Sequence, residues 1–155
     1  MTKQEIMNKF YTAFANADWK TMNDLYDRNV VFNDEIFTDL NYEYVTAMWE
    51  SLISNKENNK MKVKYELKEE NDDVYVVWTA SYLFGPKRRQ VINIVTSNME
   101  IKNDKIIKHN DSFNFKKWAS QALGMPGKLF GNALQKKVSK KALENLTNYI
   151  KNHIK

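Results

Sequence analysis

The sequence of 155 residues contains no cysteine, and it has only four glycines and two prolines. Without cysteine the chain can form no disulfide bond, no thiolate metal site and no cysteine nucleophile. The scarcity of glycine and proline, together with 43% hydrophobic and 13% aromatic residues, excludes a fibrous or disordered chain. We therefore expect a single globular domain over residues 1–155.

Long apolar runs are also absent. No stretch approaches the ~18 uninterrupted apolar residues that a membrane-spanning helix needs, and the N-terminus lacks the apolar core of a signal peptide. A cytoplasmic location is the resulting prediction. The two histidines, His109 and His153, lack supporting ligand spacing, so we predict no metal site and no cofactor.

The net charge of +5 belongs to one end of the chain. Residues 128–155 hold seven lysines and one glutamate, so residues 1–127 carry a net charge of −1. The basic stripe with interleaved aromatic residues that is typical of nucleic-acid-binding domains is absent. We expect no nucleic-acid partner.

Helical periodicity dominates the first third of the chain. Apolar spacing predicts an amphipathic helix over residues 3–16, a short helix after the N-cap Asp18, and a third helix from about Asn41. A short strand at residues 30–32 and a loop at residues 33–40 precede the third helix.

After the third helix the apolar period changes to two, which predicts antiparallel strands. We expect a strand from Met61 and further strands over residues 74–84, 89–101 and 105–115, joined by tight turns. Helices followed by a meander of strands indicate an α+β fold.

Residues 116–155 are predicted to form a helical extension: a helix at 116–123, an apolar Gly/Pro loop at 124–131 and a long final helix. The apolar positions of the final helix are Leu134, Val138, Ala142, Leu146 and Tyr149 or Ile150. We expect this face to pack on the domain and the lysines to be solvated. The alternative is that the helix, with Leu129 and Phe130, makes a weak contact with an anionic membrane surface.

The last strand carries the most informative polar residues. Its even positions, from Ile106 to Asn114, are mostly polar and are expected to face solvent, whereas its odd positions place His109 and Asp111 beside large apolar residues. The two side chains should lie roughly 6.5–7 Å apart, too far for a direct bond but suited to flank a ligand or a water molecule. A carboxylate on an apolar face is costly unless paired or used, and desolvation raises its pKa toward that of a general base.

Two structural interpretations of this strand remain open. Asp111 pairs with Arg88, with Arg89 or with a backbone donor, or His109 is a buried imidazole with satisfied hydrogen bonds.

Other residues are candidates for the same pocket. Asp34 follows the short strand, where it either points into the mouth of a cavity or caps the loop. The expected ligand-binding wall consists of Trp49, Trp78, Tyr82, Asn93 and Phe113.

Two segments carry a recognisable pattern. They are FYTAFANADWKTMNDLYDRNVVFNDEIFTDL, residues 10–40, and NDKIIKHNDSFNFKKWASQALG, residues 103–124, which contains the pattern KI-x-x-H-x-D. In order and spacing, over nearly the whole chain, the sequence resembles the SnoaL-like (polyketide cyclase and ketosteroid isomerase-like) branch of the nuclear-transport-factor-two-like superfamily.

The resemblance implies a curved antiparallel sheet wrapped around N-terminal helices, which encloses a conical pocket. It implies that Asp111 is the base, because the Asp of this pattern is the base in polyketide cyclases of the branch, and His109 and Asp34 match other positions near the pocket. It also implies a homodimer formed through the sheet. Glu35 and Asn114 depart from the pattern, since relatives often have Pro and Asp there.

The expected function is proton-transfer catalysis of the isomerase, cyclase or epoxide hydrolase type on a hydrophobic small molecule. Asp111 would be the general base, His109 or Asp34 would orient a water molecule or stabilise charge, and Tyr82 is the nearest hydrogen-bond donor. A non-catalytic carrier of an apolar ligand and a dimeric scaffold domain are the alternatives.

Overall fold

The computed structural model describes residues 1–153. Their helices and strands are α1 (Lys3–Ala15), α2 (Trp19–Asp24), β1 (Tyr26–Asn33), α3 (Tyr42–Ser54), α4 (Lys56–Asn59), β2 (Lys62–Glu70), β3 (Asp73–Phe84), β4 (Arg89–Lys102), β5 (Lys105–Ser112), α5 (Phe115–Leu123) and α6 (Met125–His153). The α+β class predicted from the order of periodicities is confirmed. No helix within this range is long and apolar enough to cross a membrane.

Side-chain caps fix where the helices begin. The side chains of Asp18, Asn41 and Asn114 accept hydrogen bonds from backbone N–H groups at the starts of α2, α3 and α5, which satisfies donors that have no partner inside the helix. The predicted cap at Asp18 and the predicted start of the third helix near Asn41 are confirmed.

The sheet has five strands in the order β1-β5-β4-β3-β2. Strands β2 to β5 form the predicted antiparallel meander, but β1 pairs with β5 in parallel. The expectation of a purely antiparallel sheet is therefore wrong at this edge. Alternation along a strand specifies which face a side chain occupies, but it does not specify the direction of the neighbouring strand.

Two tight turns join the hairpins at one end of the sheet. Asn71 and Asp72 connect β2 to β3, and Asn103 and Asp104 connect β4 to β5; in both turns φ is 52° and then 63°. Positive φ at both central residues is the mark of the type I′ turn, which suits the twist of a hairpin and which Asn and Asp tolerate. Each turn has two central residues, one fewer than the sequence-based prediction of three.

A β-bulge changes which face of the sheet the first residues of β5 occupy. Ile101 pairs with Ile106 and Glu100 with Lys108, so that Ile107 has no opposite residue. Because of this extra residue, Ile106 is fully buried, and its predicted place on the solvent face is wrong. Beyond the bulge the predicted alternation holds, with His109 and Asp111 buried and Lys108 exposed.

Helix α1 covers the inner face of the sheet and contributes the three largest fully buried side chains, Phe10, Tyr11 and Phe14. Phe10 lies edge-on to Trp49 and to His109, and Phe14 lies edge-on to Trp49 and to Trp78. Edge-to-face aromatic packing adds to the stabilisation that burial alone provides. The core therefore reaches up to the strand that carries the candidate acid.

The predicted loop at residues 124–131 is instead the beginning of α6. Pro126 lies in the first helical turn, where its missing N–H group is not needed. Gly127 and Gly131 permit a close approach to α5: a Cβ atom at Gly127 would lie 1.9 Å from the Ala119 carbonyl oxygen. The glycines and the proline that suggested a loop here serve the start and the packing of a helix instead.

The C-terminal half of α6 docks on the body, as expected. Leu146 and Ile150 are buried in the main core, the Tyr149 hydroxyl donates to Glu50, and the hydroxyls of Tyr44 and Thr147 lie 3.0 Å apart. These contacts hold α6 against α3.

Replacing Gly127 with alanine tests the close packing of α5 and α6. We expect Gly127→Ala to lower the free energy of unfolding by about 1–3 kcal/mol, because the helices must separate, despite the gain of about 1 kcal/mol in helix propensity. Gly131→Ala is the matched control, since its Cβ atom would lie 3.2 Å from the nearest atoms of Lys116. Urea denaturation would measure both; equal stabilities for the two variants would contradict the packing described.

Candidate functional site

A cavity of about 440 Å³ lies between α3, the inner faces of β3 and β4, and the loop that follows β1. This volume is within the range of small-molecule sites. Most of the lining is apolar or aromatic, and it includes Ile36, Phe37, Met48, Leu52, Ala80, Phe84, Val95 and Trp118.

Seven of the eight residues singled out from the sequence line this cavity. They are Asp34, Trp49, Trp78, Tyr82, Asn93, Asp111 and Phe113. The register of the sheet explains part of the shape, because Ala80 stands opposite Asn93 and its small side chain leaves space beside the amide. His109 is the exception: it is fully buried and does not line the cavity.

Parallel pairing brings the two acids to the same end of neighbouring strands. Phe32 pairs with His109 and Asn33 with Asn110, so the next residues along the two chains are Asp34 and Asp111. Residues opposite each other in a ladder point to the same face. Both carboxylates consequently reach the cavity.

Asp34 both caps its loop and lines the cavity, so both sequence interpretations hold. Its Oδ1 atom accepts hydrogen bonds from the backbone N–H groups of Ile36 and Phe37, at 2.8 and 2.6 Å. Its Oδ2 atom makes no hydrogen bond within residues 1–153. Burial raises the pKa of Asp34 from 3.8 to about 6, the two backbone bonds oppose this rise, and the charge of Asp111 adds to it.

Asp111 is held by His109 through a direct bond, which contradicts the predicted gap between them. His109 Nε2 lies 2.8 Å from Asp111 Oδ1. The separation of 6.5–7 Å applies to the backbone positions, and the imidazole and carboxylate groups are long enough to close it. The expected role of His109 in orienting a water molecule in the cavity does not fit its position behind Asp111.

The partners of His109 assign the position of its proton. Trp49 Nε1, which can only donate, donates to the Tyr26 hydroxyl at 2.9 Å; the Tyr26 hydroxyl lies 2.7 Å from His109 Nδ1. Burial raises the pKa of Tyr26 well above its usual value, so the phenol keeps its proton and donates it to Nδ1. With Nδ1 accepting the Tyr26 proton, Nε2 is the ring nitrogen that donates to Asp111.

Two further hydroxyls surround the same nitrogen. Ser97 Oγ lies 3.0 Å and the Tyr11 hydroxyl 3.3 Å from His109 Nε2, and the Tyr11 hydroxyl donates to Ser97. Burial, followed by the charge of Asp111, raises the pKa of Tyr11 well above its usual value. These groups fix the ring in place, as partners behind a functional side chain commonly do.

Tyr82 is positioned by the helical extension. Trp118 Nε1 donates to the Tyr82 hydroxyl at 2.7 Å, which leaves the phenolic proton free to be donated into the cavity. The pKa of Tyr82 is raised by burial first, and the Trp118 bond opposes this rise while the charge of Asp34 adds to it. Tyr82 therefore remains a donor near Asp34.

Several residues of this site escaped sequence reasoning. Ser97 follows Val91, Asn93 and Val95 on the inner face of β4, so a polar residue on an apolar face was a visible signal. Tyr11 and Trp118 gave none, because aromatic residues on a helix face are ordinary core residues.

Asp111 has neither of the alternative arginine partners, and no backbone N–H group within residues 1–153 donates to it. Arg88 donates to the backbone oxygen of Asn58 and Arg89 to that of Gln121. Nor does any group of three or more His, Asp or Glu side chains within residues 1–153 have an arrangement that could hold a metal ion.

The comparison with known families finds one match. The profile of the SnoaL-like domain matches residues 7–109, which is the part of the chain from α1 to His109. No functionally curated protein matches the sequence.

Solved structures share the fold at low identity. IdmH of Streptomyces antibioticus, a candidate polyketide cyclase, superposes with a TM-score of 0.62 at 15% identity, over 81% of this chain and 100% of IdmH. A Catenulispora acidiphila protein with a ketosteroid isomerase-like fold gives 0.60 at 11% identity, over 82% and 98% of the two chains. An LEH-like epoxide hydrolase of M. tuberculosis gives 0.55 at 16% identity, over 84% and 91%.

The pKa of Asp34 tests the electrostatics of the cavity. In a carbon-detected NMR titration, with Asp34→Asn for assignment, the Asp34 carboxyl should titrate near pH 6. Asp111→Asn should lower this pKa, because one neighbouring charge is removed, but leave it above 3.8, because burial is the larger cause. A pKa at or below 3.8 in the wild type would show that Asp34 is solvated.

The raised pKa also predicts the sign of a pH effect on stability. The folded state holds the Asp34 proton more tightly than the unfolded chain, so the contribution of Asp34 is fully present below pH 3.8 and is lost as pH rises through about 6. Asp34→Asn should remove this loss, and urea denaturation at pH 4 and pH 7 would measure it.

Proposed function

This chain belongs to the SnoaL-like domain family, and we propose that it is an enzyme that moves a proton within a hydrophobic carbonyl compound. The observation that carries the proposal is a pair of carboxylates in different environments in one apolar cavity. One carboxylate is held by an imidazole and the other by two backbone N–H groups, and proton-transfer groups that converge in one cavity are characteristic of acid–base catalysts.

Asp111 is the base in this proposal. Its Oδ1 atom is held by the imidazole of His109. Its Oδ2 atom, which makes no hydrogen bond within residues 1–153, takes a proton from the carbon beside a carbonyl group. The electrons of that C–H bond move to the carbonyl oxygen and form an enolate. His109 acts as a positioning residue, since it touches Asp111 and does not line the cavity.

Asp34 and Tyr82 serve the oxygen of the substrate. A carboxyl group with a pKa of about 6 holds its proton in mildly acidic solution and can donate it to the enolate oxygen, and the phenolic proton of Tyr82 adds a hydrogen bond. In an unsaturated ketone, whose C=C bond is conjugated with the enolate, Asp111 returns its proton to the far carbon of that system. The enol O–H proton goes back to Asp34 as the carbonyl group re-forms, which completes an isomerisation. Two of the similar structures are named as a candidate polyketide cyclase and an LEH-like epoxide hydrolase. Both of these names describe enzymes that act on small molecules.

The apolar wall defines the kind of substrate. Trp49, Trp78 and Phe113 offer aromatic faces, and the amide of Asn93 is the one neutral polar side chain among the inward residues of β4 that line the cavity. The ligand is therefore a hydrophobic molecule with one or two oxygen functions. The volume of about 440 Å³ limits it to a compact molecule.

Proton exchange tests this function without knowledge of the product. Hydrophobic ketones incubated with the protein in D₂O should exchange their α-protons, followed by ¹H NMR. Asp111→Asn should slow the exchange by about 10²–10⁴-fold, the usual contribution of a positioned base. The rate should fall above pH ~6 as Asp34 loses its proton, and Asp34→Asn should remove that fall.

Asp39→Asn is the matched control, because Asp39 is an exposed acid outside the cavity, and it should exchange like the wild type. Exchange that persists in folded Asp111→Asn would refute the role of Asp111. Ketones that bind in the cavity but do not exchange would identify a carrier of apolar ligands instead.

The outer face of the sheet supports assembly into a homodimer. Ile92 and Ile94 on β4 are 50% and 55% exposed, and their cross-strand neighbours Ser81 and Thr79 are small enough to allow a second sheet to approach. Burial of these isoleucines in an interface would provide hydrophobic stabilisation that they lack while they are exposed to water.

Ile92→Glu combined with Ile94→Glu should convert the dimer to a monomer, because charges would be buried without partners. Leu129→Glu on α6 is the control, since Leu129 is equally exposed but distant in sequence from β4. Light scattering after size exclusion would measure the masses. A monomeric wild type at 100 μM, or a double variant that stays dimeric, would contradict the interface.

A further inference from the structure

The beginning of α6 exposes three large apolar side chains. Met125, Leu129 and Phe130 are 65%, 64% and 58% exposed, and we refer to them as the apolar patch. They lie in two successive turns of one helix, in contrast to Leu146 and Ile150 near its end, which are buried. Such a cluster on the surface calls for a partner.

Helix packing fixes the direction in which Met125 and Leu129 point. Gly127 and Gly131, four residues apart, face α5 so closely that neither has room for a freely placed Cβ atom. Met125 and Leu129 have the same spacing but are offset from the glycines by two residues, which is about 200° around a helix. They therefore face away from α5. Phe130 departs from helical geometry, with φ −127° and ψ 19°, and marks a kink.

Lysines precede and follow the apolar patch along the chain. Lys116, Lys117 and Lys128 line one shallow depression between α5 and α6, and Lys136, Lys137, Lys140 and Lys141 follow along α6. The chain contains no acidic residue between Asp111, which is buried, and Glu144. None of these seven lysines forms an ion pair with any other residue of the range 1–153, and the local field is strongly positive.

We propose that the apolar patch and its lysines bind the surface of an anionic membrane. The lysines meet the anionic headgroups while Met125, Leu129 and Phe130 enter the boundary between headgroups and acyl chains, the arrangement used by interfacial helices. The rest of α6 remains docked through Leu146 and Ile150. The sequence suggested that this helix either packs on the domain or contacts a membrane surface. In this proposal the end of α6 does the first and its beginning does the second.

The chemistry favours a lipid surface over other partners. A nucleic acid would use the lysines but would leave the apolar patch in water. A second copy of the chain meeting this face about a two-fold axis would bring lysines against lysines, because such an interface places the same residues on both sides. An anionic bilayer complements both the charge and the apolar side chains.

Vesicle co-sedimentation with the full chain tests the proposal. Vesicles of phosphatidylcholine with 30% phosphatidylglycerol should bind the protein, and vesicles of phosphatidylcholine alone should bind it at least tenfold more weakly. Combined Leu129→Ser and Phe130→Ser should weaken binding to the anionic vesicles at least tenfold, because apolar insertion is lost. A separate variant that combines Lys116→Glu, Lys117→Glu and Lys128→Glu should also bind the anionic vesicles more weakly than the wild type. Its binding should depend less on salt concentration.

Val31→Ser is the matched control, since Val31 is also exposed but lies on β1, and it should bind like the wild type. All substituted side chains are exposed, and circular dichroism would verify that the variants are folded. The proposal is overturned if anionic vesicles do not bind the protein in low salt, or if the Leu129→Ser and Phe130→Ser variant binds as well as the wild type. It is also overturned if that variant changes the oligomeric state but not vesicle binding.

Discussion

The parallel pairing of β1 with β5 determines where the chemistry of this protein can occur. Because the two strands run in the same direction, Asp34 and Asp111 leave the sheet at the same end, and Phe32 stands beside His109 with the ring centroids 4.9 Å apart. An antiparallel β1 would carry Asp34 to the opposite end of the sheet. The cavity would then hold one carboxylate, and the raised pKa of Asp34 would lose the part that is due to Asp111.

A buried acid needs a structure that compensates for its loss of water, and the hydrogen-bond chain behind Asp111 provides one. Trp49 donates to Tyr26, Tyr26 to His109 and His109 to Asp111, so the polar groups that link these four side chains have hydrogen-bond partners. The packing of Phe10 and Phe32 edge-on to His109 fixes the ring from both sides.

The helices after β5 lie beyond the part of the chain that the family profile matches, yet they take part in the site. Helix α5 supplies Trp118, which orients Tyr82. Its Gln121 amide bonds both the N–H and the carbonyl group of Ile92 and so covers the edge of β4 where β5 has ended. Helix α6 packs on α5 through two glycines. The three similar structures are covered almost completely but leave 16–19% of this chain unmatched, so this chain has residues beyond the common fold.

The sequence by itself determined what depends on neighbours a few residues apart. Period-two alternation placed His109 and Asp111 on the apolar side of a strand and brought Trp78, Tyr82 and Asn93 to the inner faces of β3 and β4. Capping chemistry located the start of α2, and apolar spacing located the start of α3. Only the tertiary structure decided the direction of β1, the bulge at Ile107, the bond between His109 and Asp111, and the helix in place of a loop after Gly124. Each of these depends on contacts between residues that are distant in sequence or on how far side chains reach, and local periodicity contains neither.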